Sequence, residues 1–257
     1  PVDPRVLNKV PDWLSMWGNP SSIHWHGREP KKLLREARRS LSANLQCHPL
    51  ELIFTSGGSE SNNLAIKGCL TDLKQKFPEK NKVIFGGIEH PSVMKQVPQI
   101  QAMGFEVHLV PVNRDGAYDM EVYRSMISEE VALVSVMAAN NEIGAIAPLE
   151  EMVPLAKQYG AFFHSDMVQC LGKLDIDLKT YDIDMASFSS HKVYALKGSG
   201  ALYVKKGTPF LGLTAGGSQE RGRRAGTENL TAISKIFKVF AIYSKAQSKR
   251  PLKELKS

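Results

Sequence analysis

With 257 residues, 42% of them hydrophobic and 23% charged, the chain is large enough for one big α/β domain or two small ones, and disorder of the whole chain is excluded. The net charge of +7 could suit nucleic acid, but the Lys and Arg residues are scattered, without interleaved aromatics or a recognition motif, so no nucleic-acid role is expected. Neither a membrane span nor the apolar core of a signal peptide is present, and three dispersed cysteines, Cys47, Cys69 and Cys170, fit a reducing, cytoplasmic setting.

The spacing of Leu33, Leu34, Ala37, Leu41 and Leu45 predicts a helix over 28–46, with Lys31, Lys32, Arg35, Arg38 and Arg39 as its solvated face. A short strand at 51–55 leads into a helix over 59–77, with Ser59 as its candidate cap. Strands follow at 82–86, 105–110, 131–136, 161–166, 185–188 and 201–204, with helices at about 91–103, 118–129 and 148–159. This rhythm predicts a three-layer α/β/α fold around a mainly parallel mixed sheet. Lys245 to Ser257 reads as an exposed tail or an interrupted element.

Ligands of such sheets bind beyond the C-terminal ends of the strands, so the polar residues at those ends are the candidates. They are Ser56 to Ser59, Glu89-His90, Asn140 to Glu142, Asp166 with Gln169, and Ser189 to Lys192. Thr55-Ser-Gly-Gly-Ser59 joins a strand to a helix, where small residues and a helix N-terminus favour a phosphate; an ordinary turn is the alternative. Asp166 closes an apolar strand, where a carboxylate needs a cation such as a protonated heteroaromatic nitrogen, unless it merely caps a turn. Lys192 follows a strand beside Ser189 and His191, and a lysine among such groups can be an amine nucleophile, although a surface lysine is the plainer reading. His90 could stack on a planar ligand or serve as a core or turn histidine. His24-Trp-His26 has no supporting ligands at metal spacing, and no metal site is expected. Gly216 to Thr227 is rich in Gly and Arg and reads either as an anion-binding loop or as a mobile surface loop.

Taken together, these motifs resemble the cysteine desulfurases of the class V aminotransferase family, which are fold-type I pyridoxal-phosphate (PLP) enzymes. The resemblance rests on Gly18 to Ser22, Phe54 to Gly68, Glu89-His90, Asn140 to Gly144, His164 to Gln169, Ser187 to Lys192 and Gly216 to Asn229, all in family order. It implies that Lys192 attaches the cofactor and moves the substrate Cα proton, and that His90 stacks on the ring and shares in catalysis. By the same resemblance Asp166 holds the pyridinium nitrogen, Gln169 meets the ring oxygen with Asn141 near it, and Gly58, Ser59, Ser189 and His191 bind the phosphate. Thr227 reaches the phosphate site of a neighbouring subunit, which implies a homodimer.

The activity so implied is conversion of L-cysteine to L-alanine with sulfur leaving as a persulfide, as in iron–sulfur cluster assembly, with sulfur-acceptor or scaffold proteins as partners. The alternatives within the family are a selenocysteine lyase, a cysteine sulfinate desulfinase, or a catalytically incomplete partner protein. Family members continue into a smaller domain that carries the nucleophilic cysteine loop. Residues 1–246 are therefore expected to form the large PLP domain, and 247–257 the truncated start of the small one. None of the three cysteines matches the nucleophile; Cys47 and Cys69 are placed in or beside surface helices, and Cys170 in packing. Two smaller departures are Ser59, where the family has Thr, and Tyr194-Ala-Leu-Lys197, where it has Tyr-Gly-Pro-Lys.

Overall fold

The computed structural model describes residues 2–8, 10–14, 18–22, 24–174 and 176–233. The expected start of a second domain at 247–257, and residues 234–246 before it, lie outside the described residues. The chain opens with two short helices, α1 (Pro4–Leu7) and α2 (Val10–Leu14), and a 3-10 turn at Trp25–Gly27 that runs into α3 (Arg28–Asn44). There follow β1 (Leu52–Thr55), α4 (Gly58–Lys76), β2 (Lys82–Gly86), α5 (Pro91–Met94), α6 (Val97–Ala102) and β3 (Glu106–Val110). The remainder is α7 (Met120–Met126), β4 (Val131–Ser135), α8 (Leu149–Gln158), β5 (Phe162–Asp166), β6 (Met185–Ser189) and β7 (Gly200–Val204).

Among the described residues the seven strands form one sheet in the order β1-β7-β6-β5-β4-β2-β3. The pairs β2–β3, β2–β4, β4–β5 and β5–β6 are parallel, whereas β7 runs antiparallel to both β6 and β1. The central strands are buried on both faces, which is why they read as continuous apolar runs. Two cores result. One packs α3, α7 and α8 on one face of the sheet through Leu41, Tyr123 and Met152; the other packs α4, α5 and α6 on the opposite face through Leu70, Val93 and Ile100. Each fully buried Leu or Ile in these layers contributes about 2 kcal/mol relative to an exposed one.

The expected three layers and mixed sheet are present, and four local readings change. The helix expected over 91–103 is two helices, α5 and α6, each with a proline in its first turn, Pro91 and Pro98. Ser59 lies inside α4, whose N-cap is Gly57, in a backbone conformation (φ 156°) open to glycine. Lys31, Lys32, Arg35 and Arg39 are exposed as expected, but Arg38 is buried against the C-terminal loops. Cys69 is fully buried in the middle of α4, which is wedged against the sheet rather than lying on the surface.

Candidate active site

The C-terminal ends of β2, β4, β5 and β6 and the N-terminus of α4 converge on a pocket of about 160 Å³. Its lining includes Gly58, Ser59, His90, Asn141, Asp166, Gln169, Ser189, His191 and Lys192, nine of the ten residues expected from sequence. The tenth, Thr227, is exposed and does not line this pocket. A roomier cavity of about 500 Å³ opens at the opposite rim of the sheet, between His48 to Glu51 and Val204 to Phe210. The expected site residues do not line it.

The anion end of the pocket is built from glycine. Helix α4 starts without any side-chain cap, so the first-turn amides of a 19-residue helix face the pocket mouth. A Cβ on Gly58 would stand 2.7 Å from Val168 Cγ2, so only glycine lets this turn close on the strand end. Gly200 at the start of β7 is equally constrained, because a Cβ there would meet the Phe188 carbonyl oxygen at 2.6 Å and the Gly57 backbone at 2.7 Å. Ser189 Oγ and His191 Nδ1 stand 2.9 Å apart beside this turn. Burial and the neighbouring Lys192 and Lys197 charges lower the His191 pKa, in that order of weight.

Asp166 lies across from it, 2% exposed at the end of β5. It accepts hydrogen bonds from Asn62 Nδ2 at 2.7 Å and from the Val168 amide at 2.9 Å. Burial pushes its pKa up, while the Asn62 and Val168 hydrogen bonds and the His90 and Lys192 charges pull it down. A carboxylate has acceptor sites left after two bonds, so Asp166 can take one more donor from the pocket. Lys192 sits in a 3-10 turn, Ser190–Val193, just past β6, half-buried. Its ammonium makes no hydrogen bond or ion pair among the described residues. Gln169 Oε1 accepts a hydrogen bond from Lys173 Nζ at 2.8 Å, which leaves its amide hydrogens for other acceptors. Asn140 shapes the turn that carries exposed Asn141, accepting from the amides of Glu142 and Ile143. His90 caps α5 with Nδ1, which receives the Ser92 amide at 3.1 Å.

The pocket thus offers a helix end without a side-chain cap, a buried carboxylate, a lysine and an imidazole. These suit a ligand with a phosphate, a protonated ring nitrogen and a carbonyl carbon, and PLP carries all three. Sequence reasoning missed Asn62, Ser92, Met137 and Val168, which also line the pocket. Asn62 lies one turn beyond Ser59 on α4, and that spacing was the one available signal.

The cysteines stand apart. None of the three lines the pocket; Cys47 is half-buried, while Cys69 and Cys170 are buried. Burial pushes the Cys47 and Cys170 thiols up to about 12 and Cys69 well above its usual value.

Known proteins match this chain in sequence and in fold. The aminotransferase class-V family model matches residues 1–255. The cysteine desulfurase NifS of Azotobacter vinelandii is 45% identical over 234 residues, covering 90% of this chain and 57% of its own. The cysteine desulfurase IscS of Dictyoglomus turgidum is 42% identical, with 91% and 59% covered. Among solved structures, a NifS-like protein superposes with a TM-score of 0.91 at 35% identity, covering 96% of this chain and 68% of its own. A structure titled SspA in complex with cysteine follows, with a TM-score of 0.87 at 34% identity and with 94% and 70% covered. The chain spans less than two thirds of the length of the curated relatives it matches. It belongs to the class-V aminotransferase family, whose cysteine desulfurase members are PLP enzymes.

Proposed function

We propose that the chain is the cofactor-bearing part of a PLP-dependent cysteine desulfurase that converts L-cysteine to L-alanine and passes the sulfur on as a persulfide. The observation that carries this reading is Lys192, without an ion pair among the described residues, in one pocket with buried Asp166 and the glycine turn before α4. The relatives named cysteine desulfurase, and the neighbour titled as a complex with cysteine, support cysteine as the substrate.

Bound PLP supplies an electron sink for the substrate Cα. Lys192 Nζ would hold the cofactor covalently and, as a free amine, would accept the substrate Cα proton. Asp166 holds the ring nitrogen protonated, the Gln169 amide donates to the ring oxygen with Asn141 near it, and His90 covers the ring. Gly58, Ser59, Ser189 and His191 hold the phosphate, where the helix end favours negative charge. Sulfur leaves when an enzyme thiolate attacks the substrate Sγ. A new S–S bond forms, the substrate Cβ–Sγ bond breaks, and Cβ takes a proton to give alanine. The buried Cys69 and Cys170, and Cys47 with its raised pKa, are unsuited to that attack, so the reading assigns the accepting thiol outside these three. Exposed Thr227, outside the pocket, suits a role at the phosphate site of a second subunit in a homodimer. The three free cysteines suit a reducing, cytoplasmic compartment.

Mixing the chain with PLP should produce a visible absorbance band, and borohydride should fix a pyridoxyl group on Lys192, read by peptide mass spectrometry. Lys192→Ala should abolish both. A band that survives this substitution would overturn the assignment.

A further inference from the structure

The two site residues His90 and Asp166 are joined by a directed chain of hydrogen bonds through Ser92 and Asn62. The direction can be worked out from the backbone. The Ser92 amide can only donate, and it points at His90 Nδ1 at 3.1 Å, so that nitrogen carries no proton. Ser92 Oγ lies 2.7 Å from the same nitrogen and must donate to it as well. With its hydrogen so used, Ser92 Oγ accepts from its other neighbour, Asn62 Nδ2, at 2.8 Å. That fixes the Asn62 amide with its nitrogen toward Asp166, where the second amide hydrogen meets Oδ2 at 2.7 Å. Asn62 is 1% exposed, and its own oxygen has no partner among the described residues, so there the amide is held by these two bonds.

We propose that Asn62 is a positioning residue that holds Asp166 as an acceptor and, through the Ser92 hydroxyl, reinforces the backbone donor that sets His90 as the Nε2–H tautomer. The pocket is then polarised in a set sense. Asp166 keeps acceptor capacity for a ring N–H, and His90 has Nε2–H as its remaining polar group, a hydrogen-bond donor toward the pocket. What these two residues face rests on the PLP reading; the tautomer does not.

The test is nitrogen NMR of the full chain labelled with 15N-histidine, without PLP, the His90 signals being assigned by their loss in His90→Gln. Wild type should show His90 protonated at Nε2. Asn62→Asp puts an acceptor beside Ser92, so the hydroxyl should turn toward it and the Nδ1–H form should rise. The same variant should weaken PLP binding about tenfold or more in an absorbance titration, because a second carboxylate faces Asp166. Ser92→Ala keeps the backbone donor, and should lower the Nε2–H share while changing PLP affinity by no more than about twofold. In the Ser92→Ala background, Asn62→Asp should shift the tautomer no further. A wild-type Nδ1–H signal, or a tautomer unmoved by both single substitutions, would overturn the proposal. If Asn62→Asp does not fold, the wild-type signal and Ser92→Ala decide it. Failure of the PLP reading would instead appear as a wild type with the expected tautomer and no absorbance band.

Discussion

His164 lies two residues before Asp166 on the same face of β5 and is fully buried. Both its ring nitrogens are taken by hydroxyls, Nδ1 by Ser135 Oγ at 2.8 Å and Nε2 by Ser187 Oγ at 2.9 Å. Burial lowers its pKa to about 3, well under the usual 6.5. Between those two values the unfolded chain binds a proton that the folded chain refuses, so stability is full above pH 6.5 and falls as the solution becomes more acid. The loss from this one residue should reach about 2 kcal/mol at pH 5. Glu89, whose pKa burial raises, acts in the opposite sense, so the measurement is a difference: the drop in Tm from pH 7.5 to pH 5 should be smaller in His164→Gln than in wild type. Equal drops would refute the assignment. Asp166 and Lys192 were legible because one closes and the other follows an apolar strand, where a polar side chain must have a reason. Asn62 was not, because an asparagine within a helix looks the same whether it faces water or a carboxylate. Arg38 was misread for a related reason. Helical spacing tells which side of α3 meets the sheet but not which distant loop covers the rest, and that loop brings buried Glu220 to within 2.5 Å.

At the scale of elements, the strand-to-helix turn before α4 works because its glycines leave room that neighbouring main chain and Val168 fill. Gly57 and Gly200 touch backbone to backbone, which locks the N-terminus of α4 onto the start of β7. Gly200→Ala must push one of the two away, since both neighbours are main chain and neither can rotate aside. The expected loss is about 2 kcal/mol of stability or more, read as a lower midpoint in urea unfolding, together with weaker PLP binding at the displaced helix end. Unchanged values for both would show that the contact relaxes freely. The motif made this turn readable as a phosphate site, and its flanking strand and helix were readable from apolar spacing. The antiparallel direction of β7 was not, because a fully buried five-residue strand has the same composition in either direction.

Taken as a whole, the molecule closes by long-range contacts. The Gly- and Arg-rich loop is no free surface segment. Glu220 accepts from Arg38 and from the Phe54 amide, and Arg221 and Arg223 donate to the Leu50 and Leu52 carbonyls. Residues near position 220 thus tie down α3 and β1, and the sheet does the same on its own: among the described residues β1 pairs with β7 and with no other strand. A chain ending at residue 199 should therefore leave β1 unpaired and be recovered largely in the insoluble fraction, whereas a chain ending at 233 should stay in solution; equal recovery of the two would contradict this. On the ribosome the same topology becomes a matter of timing. The apolar segment Leu52–Thr55 is made about 150 residues before β7, its one strand neighbour among the described residues, so the nascent chain carries an unpaired strand over that interval and depends on chaperones or on speed to reach the fold.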